Sequence, residues 1–403
     1  MGGLRPMQPT GGAGESIRVG VCGLGFIGPV HVEILRRLQQ VTVNAVSSTE
    51  PGRAEAIAAR FAIPRIYTKH EDLIADPAID AVHICTTNQT HARLAKLAMD
   101  AGKHVVCEKP LASTAGDARA LAAFAAERNG VYAVNYQYRY YPMVQQARAM
   151  IRNGLLGRLY LFHGHYLQDW LLHPTDYNWR VDADKGGASR AFGDIGTHWC
   201  DLVEHVTGQR LVRLSALSRT FIPERVVSAT HTFSAPPVSQ SPAKTTAPVG
   251  VRTEDAVLVH FETSAGALGS LVISQISAGH KNDISVEVDG ADAALVWQQA
   301  THEQLWVGKR DAPNALLHKV SAQLDPSVPR FALYPAGHPE GYGDAMGSLF
   351  RLVYERVDEM REGTNAPAEP PEYPTFMDGA RMLGVVEAVL MSARRGGQWV
   401  DIT

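Results

Sequence analysis

Ile17-Arg18-Val19-Gly20-Val21-Cys22-Gly23-Leu24-Gly25-Phe26-Ile27-Gly28 is the stretch that decides the fold. A short apolar run, Ile17 to Cys22, meets a G-x-G-x-x-G cluster. A helical segment from Ile27 to Leu38 follows, then a second β-branched run from Val41 to Val46. That order predicts a βαβ unit. Within it Gly23 makes the tight turn, Gly25 lets backbone approach a pyrophosphate, and Gly28 packs helix on strand. The helix N-terminus turns free N–H groups and the positive end of its dipole toward the phosphates. Glycines are common in turns, so the motif takes its weight from the strand before it and the helix after it.

Outward from this unit the alternation continues. Helices are expected at Arg53 to Phe61, His91 to Asp100 and Thr114 to Asn129, and strands at Ala81 to Cys85, His104 to Cys107 and Val131 to Asn135. The strands are apolar throughout, as parallel strands covered on both faces must be. Residues 16–137 therefore read as a Rossmann-type, doubly wound parallel sheet. After the basic, aromatic stretch Tyr136 to Tyr141 and a helix to Arg152, period two takes over, most cleanly in Asp283-Ile284-Ser285-Val286-Glu287-Val288-Asp289. Similar runs lie at Leu159 to Tyr166, Val212 to Leu217, Asp255 to Thr263, Ala267 to Ile276, Ala293 to Trp297 and Glu303 to Val307. One face of each is buried and the other wet, so residues 138–374 read as an open, mainly antiparallel sheet. Ala235 to Val249 reads as a surface loop and Glu362 to Pro374 as a proline-laden connector. Residues 375–403 carry a last helix, Phe376 to Arg394, and residues 1–15 form a flexible Gly/Pro-rich tail.

Composition narrows the class of function. Among 403 residues, 38 Lys and Arg stand against 41 Asp and Glu, a net charge of −3. No excess positive field exists for a nucleic-acid backbone or an anionic membrane surface. No run approaches the length of a membrane span, and the N-terminal stretch lacks the apolar core of a signal peptide. The four cysteines, Cys22, Cys85, Cys107 and Cys200, show no C-x-x-C spacing and read as reduced thiols of a cytoplasmic protein.

Three further places carry chemistry. About twenty residues past the last glycine, where an NAD site offers a carboxylate to the ribose, this chain has Ser47-Ser48-Thr49, with Arg53 close by. That favours NADP over NAD; the alternative is that Glu50 reaches the ribose and Arg53 is a solvated helix residue. Thr86-Thr87-Asn88-Gln89-Thr90-His91 and Glu108-Lys109-Pro110 follow strand ends, where open α/β sheets bind ligands, so Lys109 should point into the cofactor crevice. In Gly193-Asp194-Ile195-Gly196-Thr197-His198, a helix would put Asp194 and His198 on one face, with Gly196 leaving space for an approaching group. A neutral histidine there can take a proton from an alcohol. The plainer alternative is an Asp194 helix cap and a hydrogen-bonded core histidine. His163 and His165 share a strand face and could converge with His173 and His198 on a metal. With sixteen histidines such pairs arise by chance, and no metal is expected.

Taken together, the glycine loop, Asn88 and His91, the run Ala101 to Pro110 ending in E-K-P, and Asp194-x-Gly196-x-His198 resemble the Gfo/Idh/MocA family of NAD(P)-dependent oxidoreductases over nearly the whole chain. The resemblance implies hydride exchange between nicotinamide and a secondary alcohol or ketone of a sugar, glycoside or polyol. It implies a last helix that returns to the first domain, and a homodimer or homotetramer formed through the open sheet. Implied catalytic roles are His198 as base, Lys109 as donor and anchor, and Asp194 for substrate orientation. The cofactor set comprises Gly23, Gly25, Phe26, Ile27, Gly28, Ser47, Ser48, Arg53, Thr86, Thr87, Asn88, His91, Glu108, Lys109, Asn135, Trp179 and Arg180. The substrate set comprises Lys109, Tyr166, Gln168, Asp169, Arg180, Asp194, His198 and His338. Two rivals share the fold: a glycosidase working by transient oxidation with tightly held NAD, and a non-catalytic dinucleotide sensor.

Overall fold

A computed structural model describes residues 16–226, 248–363 and 371–403. The expected tail and most of the Ala235–Val249 and Glu362–Pro374 segments lie outside the described residues. The first half alternates as read: β1 (Ile17–Cys22), α1 (Ile27–Leu35), β2 (Val41–Ser47), α2 (Arg53–Phe61), β3 (Arg65–Tyr67), α3 (His70–Ala75), β4 (Ala81–Ile84), α4 (Asn88–Asp100), β5 (His104–Cys107), α5 (Ala115–Ala126) and β6 (Tyr132–Val134). These strands form one parallel sheet in the order β3-β2-β1-β4-β5-β6, the doubly wound arrangement with its switch point between β1 and β4. Val19, Val21, Val82, Ile84, Val105 and Cys107 are buried, because helices cover both faces. The short β3 and α3 carry too few residues for a periodic pattern and were not foreseen.

α6 (Pro142–Arg152) leads into the second half: β7 (Leu159–Leu167), α7 (Ala183–Gly186), α8 (Thr197–Thr207), β8 (Leu211–Arg219), β9 (Glu224–Val226), β10 (Pro248–Gly250), β11 (Ala256–Thr263), β12 (Leu268–Ser274), β13 (Asp283–Gly290), β14 (Ala294–Gln298), β15 (Gln304–Gly308), β16 (Ala315–His318), α9 (Tyr342–Arg361), α10 (Phe376–Arg394) and β17 (Val400–Asp401). A nine-stranded sheet runs β16-β15-β14-β13-β7-β12-β11-β8-β17, antiparallel except where β12 pairs with β7. Its inner face carries Phe162, Tyr166, Val257, Val259, Phe261, Ile284 and Val286, all buried, with α6 and α8 packed against β7, β13, β14 and β15. The outer face leaves Leu161, Leu217, Leu258, Leu268 and Leu316 at least 40% exposed.

Two helices tie the halves together. α10 packs on α5 and on β8, and a β-carbon at Gly379 would lie 2.9 Å from both Leu111 and Val134, so only glycine permits this close approach. Just before α10, Val134 donates its N–H to the Pro374 carbonyl. α9 was not foreseen, although Ala345, Met346, Leu349, Phe350, Val353 and Val357 recur at helical spacing and are buried. It lies against α1 and the turn Gln137–Tyr140.

Candidate active site

The glycine loop leaves β1 with Gly23 at φ +90°, and a β-carbon there would sit 2.7 Å from the Cys85 carbonyl oxygen. One at Gly28 would fall 2.0 Å from the Gly23 carbonyl oxygen, whereas at Gly25 it would meet nothing within 4 Å. The loop is thus closed on itself at its first and third glycines and open at the second, the shape a pyrophosphate needs. Phe26 begins α1 half-exposed, Ile27 packs on the core, and the helix has no side-chain cap and no acid in its first turn. Its leading N–H groups are therefore unclaimed by side chains.

At the β2 end the residues expected to meet the ribose have partners within the chain. The Ser47 hydroxyl pairs with His70 Nδ1 at 2.8 Å, and the Ser48 hydroxyl accepts from the Glu50 N–H at 3.1 Å. Arg53 is buried, donating to the Leu24 carbonyl at 3.3 Å and from Nη2 to Glu50 Oε1 at 2.9 Å, with its Nε 2.6 Å from Glu50 Oε2 in an ion pair. Glu50, the alternative ribose partner in the sequence, thus forms an ion pair with Arg53.

Beyond β4, Thr87 precedes α4 with its side chain not bonded as a cap, Thr86 receives the Thr90 hydroxyl at 2.6 Å, and Asn88 donates to the Gly186 carbonyl at 2.8 Å. His91 is buried, with Nδ1 2.8 Å from the Pro110 carbonyl and Nε2 3.1 Å from that of Thr86, so its single N–H serves one of the two loops. Burial holds its pKa below the usual imidazole range. Glu108 and Asn135 turn inward: Asn135 Nδ2 donates to Glu108 Oε1 at 2.6 Å, and His31 Nε2 stands 2.9 Å from the same oxygen. Asn135 Oδ1 is buried without a partner among the described residues.

Lys109 crosses to the second half of the chain. Its ammonium donates to the Asp194 carbonyl at 2.7 Å and to Asp194 Oδ1 at 2.8 Å. Arg180 Nε reaches the same Oδ1 at 3.2 Å, and Gln275 Nε2 donates to Oδ2 at 2.9 Å. Trp179 lies under the Arg180 guanidinium, 4.5 Å from its ring centre. Burial opposes the charge on Asp194, but the Lys109 and Arg180 charges overcome it and hold the carboxyl far below its usual range. Asp194 is no helix cap; it lies in a widened helical turn, Phe192–Gly196, that runs into α8. Gly196 does not leave room for a ligand either, since a β-carbon there would be 2.6 Å from the Phe192 ring.

His198, one turn into this continuous helix, is 5% exposed, and its Nδ1 is buried without a partner among the described residues. Tyr136 and Tyr138 meet its ring edge-on at 5.6 and 5.0 Å between centres, and Tyr166 lies 6.4 Å away. Burial, aided by the Lys109 charge, pushes its pKa down to about 3, so the ring is neutral at physiological pH. The Tyr138 and Tyr166 hydroxyls are 2.8 Å apart, and Asn282 bonds both while also accepting from Gln168 at 2.8 Å. Gln275, Tyr138 and Asn282 were missed. Only the aromatic stretch Tyr136 to Tyr141 signalled any of them, because strand ends in the second sheet carry no motif.

Two further substrate candidates have other surroundings. Asp169 is engaged by Lys281 at 2.7 Å and by the Gly279 N–H at 3.1 Å. His338 is exposed, and its carbonyl accepts from Lys319, which also pairs with buried Glu340. His163 and His165 stand on the outer face of the sheet, facing Glu287 and Asp289 at 3.6 and 3.5 Å and Asp283 at 3.4 Å respectively. His173 and His198 do not join them. His163, Glu287 and Asp289 are near enough for one ion to touch all three.

Comparison with known proteins now adds weight. The family described as oxidoreductase, NAD-binding Rossmann fold, matches residues 17–136, and the GFO/IDH/MocA C-terminal domain matches residues 144–296. The chain belongs to the Gfo/Idh/MocA oxidoreductase family. Levoglucosan dehydrogenase of Pseudarthrobacter phenanthrenivorans is 29% identical over 403 positions, spanning 96% of this chain and 98% of the relative. A levoglucosan dehydrogenase solved with NADH and L-sorbose superposes with a TM-score of 0.83 at 27% identity, over 96% of this chain and 99% of that one. An inositol dehydrogenase homolog from Azotobacter vinelandii, solved with NAD+, gives 0.84 at 30%, over 96% and 97%. Membership makes this chain an oxidoreductase with an NAD-type dinucleotide fold. The residues present fit such a cofactor: the loop opens at Gly25, and among the described residues no side chain caps α1 and Asn135 Oδ1 lacks a partner. No helix among the described residues is long and apolar enough to cross a membrane.

Proposed function

We propose that this chain oxidises a secondary alcohol of a sugar or polyol, reversibly, with NAD as hydride acceptor. The observation that carries the reading is His198: a buried, neutral imidazole with an unpartnered nitrogen, beside an ammonium held in place by Asp194. Removing a hydroxyl proton as hydride leaves carbon needs a base and a cationic donor at one oxygen. His198 takes the proton, and in reduction returns it. Lys109 has three N–H bonds; two go to Asp194 and the third is left to steady the reacting oxygen. Asp194, with its carboxylate already engaged by Lys109, Arg180 and Gln275, orients Lys109 rather than the sugar. Nicotinamide, when bound, supplies the hydride chemistry. Tyr138, Tyr166, Asn282 and Gln168 offer the hydroxyl and amide groups that fit a polyol.

NAD is the preferred cofactor in this reading, because the Glu50–Arg53 pair gives a ribose hydroxyl an acceptor and gives a 2′-phosphate a repelling charge. Residues 16–137 serve as the dinucleotide domain, residues 138–374 as the substrate domain, and the helix within 375–403 closes back on the first. The bare outer leucines favour association of copies through the open sheet. Four buried free cysteines suit a reducing cytoplasm.

The test is a fluorescence titration with NADH and NADPH, then a panel of sugars, glycosides and polyols with the preferred cofactor. Reduced nicotinamide formed in step with oxidised substrate supports the proposal. Glycoside cleavage without net reduction supports the glycosidase, and binding without turnover across the panel supports the sensor.

A further inference from the structure

Behind the loop that carries Lys109 runs a buried line of hydrogen bonds that the proposed chemistry does not use. Glu108 Oε1 faces His31 Nε2 at 2.9 Å and receives Asn135 Nδ2 at 2.6 Å, while Glu108 Oε2 accepts the backbone N–H of Lys109 at 3.2 Å. His31 Nδ1 lies 2.8 Å from His83 Nδ1, and His83 Nε2 lies 2.8 Å from the Tyr354 hydroxyl. His31, His83 and Tyr354 are wholly buried, and Phe350 meets both imidazoles edge-on, at 4.9 and 4.7 Å between ring centres. The line joins α1, β4, α9 and the end of β5, elements that meet only in the folded chain.

Proton bookkeeping limits what this line can be. A carboxylate only accepts, so His31 carries a proton on Nε2 and donates it to Glu108. Two arrangements then fit the line. A neutral His31 accepts from His83, which accepts from the tyrosine; a charged His31 donates to His83, which donates to the tyrosine. In both, His31 Nε2–H points at Glu108, and Glu108 in turn holds the Lys109 N–H.

We propose that His31, backed by His83 and Tyr354, is a positioning residue that fixes Glu108 and thereby sets where the Lys109 ammonium meets Asp194 and the reacting oxygen. The proposal rests on the function given above. Burial works against the charge on Glu108, and the contact with His31, together with the Asn135 bond and the Lys109 charge, outweighs it, drawing its pKa down to about 2. The titratable groups around Glu108 are His31 on α1, Cys85 after β4, His91 on α4, Cys107 and Lys109 on its own segment, His198 on α8 and Tyr342 on α9. Of these, only His31 and the Lys109 backbone donate hydrogen bonds to the carboxylate, so they decide its place and charge; Asn135 adds the third bond.

The test uses His31→Leu, His31→Gln and His83→Leu in the full chain. His31→Leu should lower kcat by roughly 10- to 100-fold, the scale of a slightly misplaced catalytic group, with the NADH Kd moved less than about threefold. Without its donor, buried Glu108 takes up a proton at higher pH, so the variant should lose kcat as pH falls where wild type does not. His31→Gln, which keeps an N–H for Glu108, should recover most of the rate, and His83→Leu should show the same new acid limb more weakly. Wild-type kcat and pH profile in both leucine variants would overturn the proposal, as would equal losses in His31→Leu and His31→Gln at matched melting temperature. If His31→Leu does not fold, the His83→Leu profile decides by the same criterion. If wild type turns nothing over, the proposed function fails on its own, and the 13Cε resonance of Lys109 decides the positioning: an unchanged titration in the leucine variants refutes it, a displaced one supports it.

Discussion

The two ends of the cofactor cleft are built from different materials. At the glycine loop the work is done by backbone: Gly23, Gly25 and Gly28 act through the β-carbons they lack, within a few residues of one another. At the Lys109 end it is done by side chains from the end of β5, the Trp179–Arg180 turn, the start of α8 and the residue after β12, up to 166 positions apart between Lys109 and Gln275. The first end tolerates no added atom at Gly23 or Gly28 and has nothing to titrate. The second depends on charge and on donors that can be removed one at a time. Damage at the first end should therefore appear in cofactor binding, and damage at the second in turnover.

The largest separation between the ends is expected from His198→Ala and Lys109→Ala. Each should lower kcat by about 10²- to 10⁴-fold, the range for loss of a proton-transfer group, while the NADH Kd from fluorescence stays within about threefold of wild type. A parallel loss of NADH binding would erase the contrast. Next in size, Gly28→Ala places a β-carbon 2.0 Å from the Gly23 carbonyl, so NADH binding should weaken by more than about tenfold, read by the same titration. Its kcat at saturating cofactor should fall much less.

A smaller effect should follow at the ribose. Glu50→Ala frees Arg53 from its partner and should move the NADPH-to-NADH affinity ratio toward NADPH by about tenfold, the worth of one charge-assisted bond. An unchanged ratio would sever Glu50 and Arg53 from cofactor choice. The smallest change expected is in pH dependence. Because the His198 pKa is lowered to about 3, the ring is the unprotonated base above that value and loses this form only as pH falls toward it. The kcat/KM for alcohol oxidation should therefore show no His198 limb between pH 8 and pH 5. A limb near pH 6.5 would mean that the imidazole is solvated as an ordinary surface histidine is.

Much of the first half was legible because its signals are local. A glycine that must turn, an apolar strand buried on both faces and a lysine after a strand end are decided by neighbours in the chain, and β1, α1, β2, β4 and β5 lie at or close to where the pattern placed them. The Glu50–Arg53 pair was not legible, because its residues meet only through the fold of a loop. Gly196 misled: it has the residue type a site uses, yet it makes room for Phe192.

From its order of residues alone, this protein was bound to form a parallel dinucleotide fold followed by an open sheet, because hydrophobic period and glycine placement act over distances of a few residues. The partners of the reactive groups were left to the tertiary structure. Whether Asp194 holds a lysine or a sugar, whether His198 is satisfied or unpaired, and whether Glu108 faces the cofactor or His31 depend on which distant side chains arrive within about 3 Å. Hydrogen bonds and charges act at that range, and spacing along the chain does not encode it.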